Sequence, residues 1–178
     1  MRYRVTAKQE NSRMCFVCGL QNPYGLYTAF YELENGELLG VFNPREAHQG
    51  YPGRMHGGIA ATILDETIGR AINIGQKEIW GVTVEISTRY RKPIPLNAEI
   101  RVLGRIERET GRSFEGSGEI LLPDGSVAVE GRGKYIKLPI EQIADFDHQG
   151  EDWKVVPKEG DLKEVEIWTD ENHSPKLR

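Results

Sequence analysis

The hydrophobic positions of the chain follow two different periods, which predict strands and one long helix. Residues 26–33 and 37–42 are short runs rich in aromatic and aliphatic side chains, and Asn35-Gly36 between them is typical of a hairpin turn. From 57 to about 74 the apolar residues recur every three or four positions, which predicts a helix that Gly75 ends. Further strands are predicted at 80–90, 98–107, 113–122 and 127–138, with a Pro123-Asp124-Gly125 turn before the last one.

Two strands, one helix and four more strands, all joined by short loops, indicate an α+β fold. We expect an antiparallel sheet with the helix on one face. Residues 1–138 would form this domain, with 1–25 as a lead-in. Residues 139–178 are charged and lack a sustained period, so we expect an extension that packs on the body or on a partner, with simple disorder an equal alternative for about the last eight residues. Its scattered apolar anchors are Trp153, Val155, Val156, Leu162, Val165, Ile167 and Trp168.

Composition narrows the class of protein. The 178 residues carry a net charge of -4, but residues 141–178 hold 11 acidic against 5 basic side chains, which leaves the body mildly basic. A pI of 5.7 argues against a nucleic-acid partner, whereas a mildly basic body suits a small anionic ligand. We expect no membrane span and no secretory leader, because no apolar stretch is long enough. Since Cys15 and Cys18 cannot form a disulfide framework, a reducing cytoplasm is the expected location.

The segment with the clearest chemical content is His56-Gly57-Gly58, followed by Asp65 and Glu66. A helix begins with unpaired N–H groups and a partial positive charge. A glycine there allows a carbonyl oxygen to approach the backbone, which is how an oxyanion hole forms. Asp65 lies in the middle of the predicted helix among apolar residues, where a carboxylate is unfavourable unless it faces an opening or is paired.

These residues resemble the signature of the PaaI-type hotdog-fold acyl-CoA thioesterases. Two other stretches agree, one from Val82 through Pro95 and a lead-in from Cys15 to Leu26, so that the resemblance covers about residues 14–138. It implies a hotdog fold, in which an antiparallel sheet wraps round a central helix, and hydrolysis of acyl-CoA thioesters. No metal and no cofactor are expected, apart from the coenzyme A of the substrate.

The resemblance also implies roles for single residues. Gly57 N–H would polarise the thioester carbonyl, and Asp65 would activate water or attack directly. Thr83 would orient the water, and His56 would shape the loop and assist carbonyl binding, with Gly58 beside them. Many family members carry an Asn or Gln seven residues before the first glycine as a second carbonyl donor. This chain has Gly50 there, so that Gln49 or His48 would have to replace it.

Helix geometry by itself predicts an obligatory dimer. Gly57 and Asp65 are eight residues apart, or about 12 Å along a helix axis. A reacting carbonyl carbon must lie about 3 Å from both groups. One helix cannot present both to one substrate. Either Asp65 serves a different partner, or a second copy of the chain lies antiparallel and pairs its Asp65 with this Gly57. We expect the second arrangement, a homodimer or a dimer of dimers with two sites shared across the interface.

Three other groups of residues are candidates. A basic cluster of Arg54, Arg89, Arg91 and Lys92 would hold the phosphates of coenzyme A or simply be solvated. Glu66 is the alternative base, but it points about 100° away from Asp65 and is expected to face solvent or to pair with Arg70. Cys15-x-x-Cys18 is half a zinc site, but no second pair of ligands has suitable spacing, so two reduced cysteines in a turn near the sheet are favoured.

Two other function classes stay open on the same fold. The missing donor at Gly50 is compatible with a non-catalytic acyl-CoA binding or sensing protein. A hydratase or dehydratase is less compatible, because Asp65 follows the thioesterase spacing.

Overall fold

The computed structural model describes residues 1–143 and 153–167 as ten strands and one α-helix. A 3₁₀ turn at Ala71–Asn73 continues the helix, and Gly75, at φ 84°, ends this segment where the sequence predicted. The strands and helix are β1 (Arg2–Lys8), β2 (Asn11–Ser12), β3 (Ala29–Leu33), β4 (Leu38–Phe42), α1 (Gly57–Arg70), β5 (Trp80–Tyr90), β6 (Ile100–Glu109), β7 (Ser113–Leu121), β8 (Val127–Leu138), β9 (Trp153–Lys154) and β10 (Glu164–Glu166).

Eight of these strands form one antiparallel sheet in the order β10-β1-β3-β4-β6-β7-β8-β5, and β2 pairs separately with β9. Helix α1 lies against one face of the large sheet, with Ile63, Leu64 and Ile68 fully buried between them. This is the hotdog arrangement, and the predicted fold class is confirmed. Strand β5 ends the sheet, so one edge of this 11-residue strand has no partner among the described residues.

The helix lies close to the sheet because glycines face it. A Cβ atom at Gly104 would lie 2.7 Å from the carbonyl oxygen of Thr67 in α1, and one at Gly116 would lie 2.6 Å from the Ile68 side chain. Neither distance is possible for real atoms, so the sequence of β6 and β7 sets how deeply the helix is seated.

Both predicted turns are confirmed. Gly36 (φ 82°) closes the β3–β4 hairpin, and Gly125 (φ 80°) donates from its N–H to the Leu122 carbonyl in the turn before β8. Strand β3 begins at Ala29 rather than at residue 26, because Tyr27 lies in the left-handed region at φ 54° and cannot continue an extended chain.

The lead-in and the extension both add to the sheet, which the sequence analysis did not predict. Strand β1 pairs with β3, and β10 pairs with the outer edge of β1. Val165 and Ile167 are 4% exposed and cover the sheet face opposite α1. Asp161 fixes this segment by accepting hydrogen bonds from Lys8 Nζ at 2.6 Å and Tyr31 Oη at 2.8 Å. Trp168, the last of the seven predicted apolar anchors, lies outside the described residues.

Within the described ranges, the structure contains no helix of the length and apolarity required to cross a membrane.

Candidate active site

The first turn of α1 has one backbone donor left over. His56 is the N-cap residue, and its Nδ1 accepts from the Gly58 N–H at 3.0 Å. The His56 N–H donates to the His48 carbonyl, and the Ile59 N–H donates to the His56 carbonyl. The remaining N–H of the four that a helix cannot satisfy is that of Gly57, which has no acceptor within the described part of the chain. It lies on an exposed helix terminus, where the partial positive charge favours a carbonyl oxygen.

His48 cannot act as the second carbonyl donor. It is buried, its Nδ1 accepts from the Arg45 N–H at 2.9 Å, and its Nε2 lies 2.8 Å from the Tyr24 carbonyl oxygen, to which it donates. Since both ring nitrogens are engaged inside the chain, the role of His48 is to hold the loop in place, and its carbonyl accepts from the His56 N–H.

With His48 excluded, Gln49 is the other residue that could replace the donor missing at Gly50. A Cβ atom at residue 50 would lie 3.0 Å from His56 Cα, so this position is packed against the residue that caps the helix. Gln49 is exposed, and its Oε1 accepts from the Gly53 N–H at 2.8 Å. This bond fixes the amide group, and its Nε2 has no partner within residues 1–143 and 153–167.

Asp65 is held by two hydroxyl groups from the sheet. Thr83 Oγ1 donates to Asp65 Oδ1 at 2.8 Å. Tyr135 Oη lies 3.3 Å from the same oxygen and 3.2 Å from the Asp65 carbonyl oxygen, so its one proton can be donated to either acceptor. Thr83 and Tyr135 face each other across strands β5 and β8, and the register shifts by one residue at Val84 immediately after Thr83. Such a bulge ends the regular alternation of a strand and can re-aim a side chain. Asp65 itself is half-buried, and its Oδ2 has no partner among the described residues.

Tyr135 is the residue that the sequence analysis missed. Its ring is buried and stacks on Phe114 at 4.8 Å between centroids. Burial and the nearby Asp65 carboxylate raise the pKa of Tyr135, so the phenol stays protonated as a donor. The sequence pattern that could have pointed to Tyr135 is the alternation in β8, where buried Gly131 and Gly133 precede it on the face towards α1.

Gly57 and Asp65 both lie on α1, as the sequence predicted, and eight residues of an α-helix correspond to about 12 Å along its axis. Tyr90 Oη donates to the Gly57 carbonyl at 2.7 Å and fixes the helix start against the end of β5.

The basic candidates differ from one another. Arg91 donates two hydrogen bonds of 2.8 Å to the two carboxylate oxygens of Glu130, so its charge is already neutralised inside the chain. Arg54, Arg89 and Lys92 are exposed. Both predicted alternatives, phosphate binding and simple solvation, require this exposure.

Glu66 points away from Asp65, as the helical geometry predicted, and it pairs with Arg70, which was one of the two predicted alternatives. Its Oε1 lies 3.4 Å from Arg70 Nε and 3.9 Å from Cys15 Sγ. Burial raises the pKa of Glu66 to about 7, although Arg70 opposes the shift. The two cysteines are free thiols that pack against α1, and a hydrogen bond from Cys15 together with nearby Arg70 lowers the pKa of Cys18 to about 7 against the effect of burial.

Comparison with known proteins agrees with this architecture. Residues 52–129 match the family model of the Thioesterase superfamily. Acyl-coenzyme A thioesterase THEM4 of Xenopus laevis is 30% identical over 115 residues, which are 63% of this chain and 50% of the relative. The chain therefore spans about half the length of the curated relatives it matches.

Solved structures give the same result. A thioesterase superfamily protein superposes with a TM-score of 0.64 at 32% identity, covering 70% of this chain and 60% of the other. The PaaI protein of E. coli, from the phenylacetic acid degradation operon, superposes with a TM-score of 0.58 over 64% of this chain and 80% of its own. At 13% identity, this second similarity shows the fold alone.

Proposed function

We propose that the protein hydrolyses an acyl-CoA thioester to the free acid and coenzyme A, because residues 52–129 match the family model of the Thioesterase superfamily. The observation that carries the proposal is the pair of groups on α1. These are the Asp65 carboxylate, held by Thr83 Oγ1 at 2.8 Å, and the Gly57 N–H that has no acceptor within the described residues. The similarity to THEM4 supports an acyl-CoA substrate.

The chemistry needs a base and a polarised carbonyl. Thr83 and Tyr135 both contact Oδ1 of Asp65, which leaves Oδ2 to take the proton of a water molecule as that water attacks the thioester carbon. The carbonyl oxygen becomes an oxyanion and accepts from Gly57 N–H. Collapse of the intermediate expels the coenzyme A thiolate, which is a good leaving group and takes up the proton. These steps use the chain's own groups and no cofactor.

Gln49 is the second carbonyl donor in this proposal. Its Oε1 is occupied by the Gly53 N–H, so the amide can offer only N–H groups to a ligand. His56 is the alternative: since its Nδ1 accepts from Gly58 N–H, the neutral ring carries its proton on Nε2. Gln49→Ala and His56→Ala, measured separately, distinguish the two.

The substrate would lie between two copies of the chain. One carbonyl carbon cannot lie within about 3 Å of both Gly57 and Asp65 of the same helix, because these residues are about 12 Å apart along its axis. The free edge of β5 and the exposed apolar side chains next to it, Val84 (61%), Tyr90 (52%) and Ile136 (45%), support a partner at this position. In a symmetric dimer, Gly57 of each chain would face Asp65 of the other. Two such dimers could associate further.

The phosphates of coenzyme A would meet the exposed Arg54, Arg89 and Lys92. Arg91 is excluded from this set, because Glu130 already binds its guanidinium in a bidentate manner. Charge reversal at Arg89 should raise KM for acyl-CoA several-fold and leave the KM for a thioester without the nucleotide unchanged.

A panel of short, medium and aromatic acyl-CoAs tests the activity, with release of the free thiol as the readout. We expect turnover of at least one class, and a loss of about 10³-fold or more in Asp65→Asn, because the base is removed while the shape is kept. Saturable acyl-CoA binding with no thiol release by the wild-type protein would contradict hydrolysis and favour a binding or sensing role.

Mixed dimers test the shared site. If Gly57→Pro and Asp65→Asn chains exchange freely at a 1:1 ratio, half of the dimers are mixed and each has one intact site, so about one quarter of wild-type activity should return. If each site belonged to a single chain, activity would stay at the level of the two inactive parents.

A further inference from the structure

We propose that Cys15, Cys18 and Glu66 bind a zinc ion that fastens the lead-in to helix α1. One donor atom from each of the three residues lies within 4.8 Å of the other two. The sequence alone did not favour a zinc site, because no second pair of ligands has the usual spacing. The fold supplies a third ligand from an element 48 residues further along the chain.

One donor distance is close to that of a tetrahedral zinc site, and the other two are no longer than 4.8 Å. Zinc–sulfur bonds of about 2.3 Å and zinc–oxygen bonds of about 2.0–2.2 Å place neighbouring sulfur and oxygen ligands about 3.5 Å apart. Cys15 Sγ and Glu66 Oε1 are 3.9 Å apart. A shift of a few tenths of an ångström, within the reach of side-chain rotations, closes this gap.

Two backbone donors point to the Cys15 sulfur. The N–H groups of Val17 and Cys18 lie 3.3 and 3.4 Å from Cys15 Sγ, where they would stabilise the charge of a metal-bound thiolate. Gly19 follows immediately, and its N–H donates to the Cys15 carbonyl at 2.8 Å. A side chain at this position would collide with the backbone of Met14 and Cys15, so the tight turn that brings the two sulfurs together requires glycine.

The net charge of the ligands and of neighbouring Arg70 matches that of a divalent ion. Two thiolates and the Glu66 carboxylate carry three negative charges, and Arg70 supplies one positive charge, with its Nε 3.4 Å from Glu66 Oε1. Arg70 is held there by the Glu10 carbonyl at 2.9 Å and by the rings of Phe30 and Trp153. A divalent cation brings the sum to zero. Water would complete the tetrahedron, since Cys15 and Glu66 are only partly buried.

The selection of zinc follows from the ligands. Thiolates select soft or borderline ions, and a carboxylate completes zinc sites but suits copper(I) poorly. The ion would join residues 15–18 to the middle of α1, one residue from Asp65 but on another side of the helix. This inference does not depend on the proposed thioesterase activity.

Zinc binding by the reduced full-length protein tests the site. Metal analysis after dialysis against zinc and removal of free ions should give about one zinc per chain, and cobalt(II) should give thiolate-to-metal charge-transfer absorption. We expect Cys15→Ser and Glu66→Gln each to weaken zinc binding at least about 100-fold in chelator competition. Asp65→Asn is the matched control, because it removes the neighbouring carboxylate and should leave zinc affinity unchanged.

The outcomes are decisive in either direction. If the reduced wild-type protein binds no zinc at micromolar concentration, or if the cysteines form a disulfide and reduction does not restore binding, the site is not a metal site. Zinc binding that Glu66→Gln leaves intact would overturn the three-residue assignment. Circular dichroism of each variant distinguishes loss of a ligand from loss of the fold, and Cys15→Ser and Glu66→Gln both change partly exposed positions.

Discussion

Gly57→Pro would remove one hydrogen-bond donor from the chain while leaving helix α1 in place. Gly57 is the first residue of the helix, where proline is favoured because the N–H has no intrahelical acceptor. His56 has φ -64° and ψ 136°, the extended conformation that a following proline requires. A Cβ at residue 57 would lie 3.4 Å from Tyr90 Cε1, an ordinary contact. We therefore expect the free energy of unfolding to change by no more than about 1 kcal/mol.

The effect on catalysis should be much larger than the effect on stability. Removal of one donor from an oxyanion hole lowers kcat about 10²–10³-fold, equivalent to about 2.7–4 kcal/mol of transition-state stabilisation. Gly57→Ala is the matched control, because it adds the same Cβ and keeps the N–H. Its kcat should stay within a few-fold of wild type. The assay is thiol release from the acyl-CoA that the wild-type protein turns over best, with thermal unfolding as the check on folding.

Two results would refute this reasoning. If Gly57→Ala lost as much activity as Gly57→Pro, the side chain and not the missing N–H would be the cause. If Gly57→Pro retained full kcat while folding normally, the backbone donor at this position would have no part in the reaction.

Three further predictions concern Asp65, the helix–sheet contact and the extension. Tyr135→Phe keeps the stacked ring but removes a donor to Asp65, so kcat should fall about 10-fold at unchanged KM; an unchanged kcat would show the hydroxyl to be dispensable. In chemical denaturation, Gly104→Ala should cost about 1–3 kcal/mol of unfolding free energy and Gly111→Ala, where a Cβ meets open space, less than about 0.5 kcal/mol, and equal costs would contradict the seating of the helix. Partial burial opposes ionisation of Asp161, but hydrogen bonds from its neighbours lower its pKa, so its stabilisation is present above the unfolded value of about 3.9 and is lost as the pH falls through the folded pKa. Asp161→Asn should therefore be less stable than wild type by about 1 kcal/mol at pH 7 and equally stable near pH 2, and a pH-independent difference would refute the ionic contribution.

The helix and its chemistry were predictable because they are local. The three- and four-residue period between residues 57 and 72, the His56 cap and the Gly75 stop all act within a few residues. The rise per residue of a helix is fixed, so the distance between Gly57 and Asp65 followed without a structure. The different directions of Asp65 and Glu66, about 100° apart round the helix, followed from the same geometry.

The contacts that define the environment of each group were not predictable in this way. Thr83 reaches Asp65 through a one-residue register shift at Val84, and Tyr135 reaches it only because β8 pairs with β5 in that register. Nothing in the pattern of β5 or β8 alone specifies the shift. The sequence showed only that Gly50 lacks a donor side chain, whereas the fold shows that this position packs against His56.

The extension and the cysteine turn show the same limit. Tyr3, Val5 and Ala7 alternate with polar residues, so strand β1 could have been predicted, but the choice of residues 164–166 as its neighbour could not. Glu66 stands 51 residues from Cys15, and only the folded chain brings the two together. The sequence by itself determined the helix, the strands beside it and the groups that they carry, because backbone preferences and hydrophobic periods depend on near neighbours. The tertiary structure decided which groups meet, because strand register and burial depend on the free energy of the whole chain.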